Sequence, residues 1–368
     1  MRLLVGAAGG LLIVFILLDV FRFIVLPRRA DSRFTLARWF LRLLGQAWVG
    51  FAGTVRVRSR RETLLSYFGP LALILLFGLW AVGFILAFAL LGWAFGTQYS
   101  HSLSSSFITD LYTSGTSFFT LGFADVTPRS GLERALSVLE AAVGFGFLGL
   151  VISYLPLFYQ SFAGREVLIS MLDEWAGSPP SAGELLRRLG EDGCMDDLQH
   201  FLRNWEEWTA ELLERHLSYP ILGVFRSQHE NQSWVASLTM VLDLCALIRV
   251  GIDAVSPRTG RLTYAIARHA VGDLTQVYHL TPHGPSRDRL PAEDLQKLRL
   301  ILAENDVHLQ AGPAADEQLA RLRLEYEPYV NALAEFLLMP LPPWFAPPGV
   351  KDNWETTAWD EGGGSHFG

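Results

Sequence analysis

The sequence predicts an all-α membrane protein followed by a helical soluble domain. Two observations carry that prediction: the apolar residues gather into long runs, and charge divides between the two parts of the chain. The runs are Leu3–Leu26, about Leu65–Phe95 and about Leu132–Tyr159. Each exceeds the roughly 20 residues needed to cross a hydrocarbon core of about 30 Å. Residues 1–164 hold 13 Arg against 7 acidic residues, net +6, whereas residues 165–368 hold 17 Lys+Arg against 30, net −13. A basic membrane part joined to an acidic soluble part argues against nucleic acid as a partner. Runs of alternating hydrophobicity, the signature of strands, are not evident. Cys194 and Cys245 each sit in a helical stretch and read as free thiols without metal-ligand spacing.

Residues 1–27 form the first span. A retained helix is favoured over a cleaved leader, because Arg2 is its only basic N-terminal residue, no small-x-small site follows, and the run ends at Pro27-Arg28-Arg29. Asp19 and Arg22 lie within it, close enough to pair with each other or with a neighbouring span. Residues 28–63 are basic, with Arg28, Arg29, Arg33, Arg38, Arg42, Arg56, Arg58, Arg60 and Arg61 opposed only by Asp31 and Glu62. Short arginine-rich loops stay cytoplasmic, which puts the N-terminus outside and the C-terminal domain in the cytoplasm of a cell whose inner (plasma) membrane the chain crosses several times. Phe34–Phe51 alternates Arg with bulky apolar residues at helical spacing. It reads either as an interfacial helix on anionic lipid or as a short helix packed on the cytoplasmic domain.

Residues 64–162 carry the chemistry. Between an outer helix at 65–95 and an inner helix at 132–159 lies a piece too short and polar to span. Leu103-Ser104-Ser105-Ser106 supplies N-cap chemistry, a helix is predicted over 104–119, and the pattern breaks at Thr120-Leu121-Gly122-Phe123-Ala124-Asp125-Val126-Thr127-Pro128. Irregular backbone at membrane depth is tolerated only where it is packed in protein and lines a water path.

This stretch resembles the re-entrant loop of the two-transmembrane potassium-channel pore family, whose filter reads T-V-G-Y-G-D followed by a proline. Gly144, nineteen residues after Asp125, matches that family's inner-helix hinge glycine, and Gly149 falls on a second glycine. The resemblance implies a homotetramer around an axial pore, with filter residues Thr120, Leu121, Gly122, Phe123 and Ala124. K+ would be the permeant ion, held by the carbonyls of Thr120, Leu121, Gly122 and Phe123 in place of water. Asp125 would form a carboxylate ring at the outer mouth, and Phe119 and Phe123 would pack behind the filter. Two departures bear on selectivity. The family's second filter glycine is Ala124 here, where a left-handed backbone costs a non-glycine residue roughly 1–2 kcal/mol, and its Tyr is Phe123. Thr116 stands where many relatives keep a Glu that braces the mouth aspartate.

Two more residues on the inner helix are candidates for gating. Glu140, one turn before Gly144, either holds a permeant ion, tunes a gate by protonation, or bonds, protonated, to the pore helix or filter loop of a neighbour. Pro156 either kinks the helix where a gate closes or marks its end.

Residues 163–340 read as a helical cytoplasmic domain. Leu198, Phe201, Leu202, Trp205, Trp208, Leu212 and Leu213 make one stripe, capped by Asp196 or Asp197. Further helices are expected at Ala292–Glu304 and Asp316–Leu338. Trp234–Ile252 is apolar enough to be a fourth span, but Asp243 and Arg249 favour a buried soluble helix. Arg226, His229 and Glu230 form a polar cluster that either binds an anion or senses pH, or else surrounds a helix cap. Pro282 spoils a metal pair of His279 and His283. Residues 341–368 read as a largely disordered acidic tail. No cofactor other than the permeant ion and no catalytic arrangement is expected, and a cytoplasmic ligand is left open. The alternatives to a K+ pore are a non-selective cation channel and a non-conducting membrane-anchored signalling or scaffold protein.

Overall fold

The computed structural model describes residues 1–26, 35–55, 57–96, 99–100, 106–123, 126–229, 231–252, 256–285, 287–347, 349 and 352–355. The chain divides into two units, Met1–Tyr159 and Gln160–Gly368. The described residues are predominantly helical, as the apolar periodicity predicts. Among them four helices are long and apolar enough to cross a membrane, within Arg2–Val25, Arg60–Phe95, Gly131–Ala176 and Trp234–Gly251.

In the first unit α1 (Arg2–Val20) runs into a single π turn (Phe21–Val25), and α2 (Leu36–Gly53) and α3 (Arg58–Phe95) follow. Asp19, buried at the end of α1, settles where α2 begins. Its Oδ2 accepts from the Trp80 indole N–H of α3 at 2.8 Å and from the Ala37 backbone N–H at 3.0 Å. A carboxylate at a helix N-terminus satisfies an otherwise orphaned donor and the dipole together, and Thr35, the N-cap residue, makes no side-chain cap of its own. Of the two partners expected for Asp19, the neighbouring span is therefore the one observed. Helix α2 packs on α3, with the Trp48 indole donating to the Leu64 carbonyl at 2.9 Å.

After α3 comes the two-residue strand β1 (Tyr99–Ser100), paired antiparallel with β2 (Thr127–Pro128). Between them lies α4 (Phe107–Phe118), and β2 leads into α5 (Gly131–Ala176). The pair closes the base of the α4 loop, bringing its two ends together. Helix α5 corrects the expected inner helix of 132–159: it passes Pro156 without ending and continues to Ala176. Pro156 lacks one N–H, but its fixed φ suits a helix, so a long apolar helix absorbs it.

The second unit is built around α8 (Trp234–Gly251), of whose 18 residues 16 are buried. Around it stand α7 (Asp197–Ser218), α9 (Pro257–Val277), α11 (Pro313–Leu324) and α12 (Glu327–Leu337), with α6 (Ala182–Glu191) and α10 (Ala292–Ala303) packed together. An apolar helix enclosed by its own unit is a core helix of that unit. Its acidic residue is matched internally: the Arg289 guanidinium grips Asp243 with two bonds of 2.7 and 3.0 Å, and the Tyr326 hydroxyl donates to the same carboxylate. The helix expected over Asp316–Leu338 is two helices, because Pro328 at the start of α12 cannot donate back into α11.

The tail expectation is corrected for its described part. Trp344 is 1 % exposed, its carbonyl accepts from the Gly183 N–H at 3.0 Å, and Arg289 and Arg323 each stack 5.5 Å over its ring. Asp352 pairs with Arg188 and accepts from the Ser178 N–H at 3.1 Å. A composition rich in Pro and Gly lowers helix content but does not prevent an aromatic from being buried. Residues 356–368 lie outside the described residues.

Candidate functional site

The site begins with a well-made helix start. Ser106 caps α4, its Oγ accepting from the Thr109 N–H at 3.3 Å. The other end is less ordinary. The Leu121 N–H donates to the Thr116 carbonyl at 2.8 Å and the Thr120 N–H to the Ser117 carbonyl at 3.0 Å. These two bonds make a Schellman turn, whose left-handed residue is usually glycine. Here it is Thr120, at φ +54°. A β-branched residue in that conformation is an outlier, with a cost of about 1–2 kcal/mol. Two residues on, Gly122 is also left-handed, at φ +68°. A Cβ there would meet nothing within 4 Å, so the backbone conformation, not space, calls for glycine. The stretch thus alternates left-handed residues, and each residue from Thr120 to Phe123 is exposed in the protomer. Strain kept where glycine would relieve it points to a role for the Thr120 side chain. Ala124 and Asp125 lie outside the described residues.

The wall behind this stretch is tightly built. Phe118, 2 % exposed, stacks on Phe84 of α3 and meets Phe147 of α5, with centroids 5.9 and 6.0 Å apart. A Cβ on Gly144 would stand 2.0 Å from the Phe118 carbonyl oxygen. Gly144 therefore sits where the last turn of α4 touches the backbone of α5. One turn earlier, Glu140 is 5 % exposed and hydrogen-bonded to Ser114 of α4. Of the arrangements expected for it, a bond to the helix ahead of the 120–123 stretch is present, made within its own chain. Gly149 is unobstructed, and its carbonyl accepts from the Ser153 hydroxyl at 2.9 Å.

Phe119 and Phe123, expected to pack behind the 120–124 stretch, are each 56 % exposed in the protomer. The packed ring is Phe118, whose place was hidden in sequence by the run of two phenylalanines. Ser114 was also missed. It lies 26 residues from Glu140, beyond any local periodicity, and a buried serine on the α3 side of α4 was the only signal.

The other sequence candidates fall elsewhere. Arg226 donates to the carbonyls of Leu337 and Leu338, both at 3.0 Å, closing the end of α12, and Ser233 caps α8. Glu230 lies outside the described residues. His283 meets Glu335 at 3.0 Å, and among the described residues no group of three His, Cys, Asp or Glu could hold a metal.

Residues 74–160 match the family model described as an ion channel. The chain is 23 % identical over 271 residues to YdjJ, an uncharacterized membrane protein of Bacillus subtilis (strain 168), across 69 % of this chain and 74 % of that protein. No solved structure matches.

Proposed function

Because the chain carries an ion-channel domain of the two-transmembrane, potassium-channel-like type over residues 74–160, we propose that four copies surround one axis and conduct K+ passively past Thr120, Leu121, Gly122, Phe123 and Ala124. In this reading the carbonyls of Thr120 to Phe123, with the Thr120 hydroxyl, replace the hydration shell of the ion. The C-terminal end of α4, its negative dipole end, adds to the attraction. Asp125 rings the outer mouth and raises the local cation concentration.

The observation that carries the reading is Thr120, held left-handed at the end of α4 with Gly122 left-handed after it and the intervening peptides exposed. Apolar surface supports the assembly: Phe119, Leu121 and Phe123 beside the filter and Phe145 on α5 are each more than half exposed, an area suited to a neighbouring copy. The arginine-rich segment 28–61 lies at the cytoplasmic face against anionic lipid, with the N-terminus outside. The acidic C-terminal unit then lies in the cytoplasm, where it gates or assembles the pore. Ala124 favours a second reading, a cation pore of weak selectivity, because it stands where the resembled family keeps a glycine and a left-handed backbone there would cost an alanine about 1–2 kcal/mol.

Single-channel recording of the full chain in planar bilayers, under opposed K+ and Na+ gradients, tests this. Reversal at the K+ potential is expected. Reversal at zero selects the non-selective reading, and a purified single protomer or silent bilayers overturn both.

A further inference from the structure

Behind α4 lies a cavity of about 30 Å³ walled by Asp110, Thr113 and Ser114 of α4, Glu133, Ser137 and Glu140 of α5, and apolar groups of α3. Such a volume holds a water or two when polar partners line it. The Thr113 hydroxyl on this wall is buried with no hydrogen-bond partner, so it is one such partner. The titratable groups on the wall are Asp110 from α4 and Glu133 and Glu140 from α5. α3 contributes Phe88 and Gly92, and the loop before α5 contributes Pro128. Among the described residues no cation lines the cavity.

The hydrogens around Ser114 can be counted. Its Oγ lies within bonding distance of two oxygens, the Ile85 carbonyl of α3 at 2.8 Å and a carboxyl oxygen of Glu140. A serine hydroxyl has one hydrogen. With Glu140 ionised, two acceptors compete for it, and a charge is buried beside two further carboxyl groups. With Glu140 protonated, every partner is served.

We propose that Glu140 carries a proton in the assembled protein, its O–H donating to Ser114 Oγ while Ser114 donates to the Ile85 carbonyl. Glu140 is thereby a positioning residue, tying α3, α4 and α5 together one turn from the contact between Gly144 and Phe118 and holding the filter in register. Loss of that proton to water in the cavity breaks the chain of bonds and releases α4. The effect on conduction rests on the channel reading above; the protonation does not.

The test uses the full chain reconstituted in lipid. The infrared difference between the native protein and Glu140→Gln at neutral pH is expected to contain the C=O stretch of a protonated carboxylic acid. Conduction of the native chain is expected to fall as pH is raised, whereas Glu140→Gln, a neutral donor of the same shape, conducts with a flat profile. Glu140→Ala loses about ten-fold at every pH, as the loss of one buried hydrogen bond implies. Absence of the carboxylic acid band, or identical pH profiles for the native and Gln proteins, overturns the proposal. Should no variant conduct, the channel reading fails while the infrared band still decides this one.

Discussion

Replacing Gly144 with alanine separates two roles for that glycine. The added methyl would begin 2.0 Å from the Phe118 carbonyl oxygen, 2.8 Å from its carbon and 3.1 Å from its Cα. All three are backbone atoms, so no rotamer change relieves the clash. Reaching ordinary contact near 3.4 Å requires a retreat of about 1.4 Å by the last turn of α4 or by α5. Phe118 cannot retreat freely, because its ring is wedged between Phe84 and Phe147. Overpacking of this kind costs about 1–3 kcal/mol per protomer. The displaced carbonyl lies two residues before Thr120, so the 120–123 stretch moves with it. The expected result is a lower unfolding midpoint in detergent together with conduction reduced at all voltages. A hinge acting through flexibility alone would leave the midpoint unchanged or raised, since alanine favours helix, and would alter only opening and closing. An unchanged midpoint with intact unitary conductance would therefore refute the close-packing argument.

Thr120→Gly is expected to stabilise the folded protein by about 1 kcal/mol by removing the left-handed threonine, while conduction falls with loss of the hydroxyl. Paired unfolding and bilayer measurements check the opposed signs. Asp243→Ala removes the paired carboxylate of the buried Arg289 guanidinium, which keeps its longer contact to Glu327 at 3.3 Å and its bond to the Pro342 carbonyl at 3.0 Å, and is expected to cost about 3–5 kcal/mol. Denaturant unfolding followed at the C-terminal unit measures this, and a loss below about 1 kcal/mol would show the network to be dispensable. His216 supplies a pH dependence. Burial, with Arg165 and Arg215 nearby, pushes its imidazole down to about 3 from 6.5, so the folded state keeps it neutral. The unfolded chain takes up a proton below pH 6.5 and the folded one does not, so stability falls as pH drops from there toward 3. The loss is about 2 kcal/mol by pH 5. His216→Leu should flatten that limb of a pH–stability curve.

Much of this molecule is written locally. Three candidate spans follow from long apolar runs, and the start of α4 follows from serines ahead of Phe107. The exposed bend at 120–123 follows from a helical pattern broken at Thr120-Leu121-Gly122. That Asp243 would have a partner was legible too, because an acid in an apolar helix needs one. What only the tertiary structure decided are contacts between residues far apart in the chain. Asp19 meets Ala37 and Trp80, Ser114 bridges Ile85 and Glu140, and Trp344 fills a place beside Gly183. Periodicity reports which face of a helix is apolar, but not which residue of another helix will stand against it. Gly144 shows the difference most plainly. A glycine in an inner helix suggests freedom to bend, whereas the folded chain uses its missing side chain to admit a carbonyl. Only the packing of α4 on α5 distinguishes room to move from lack of room.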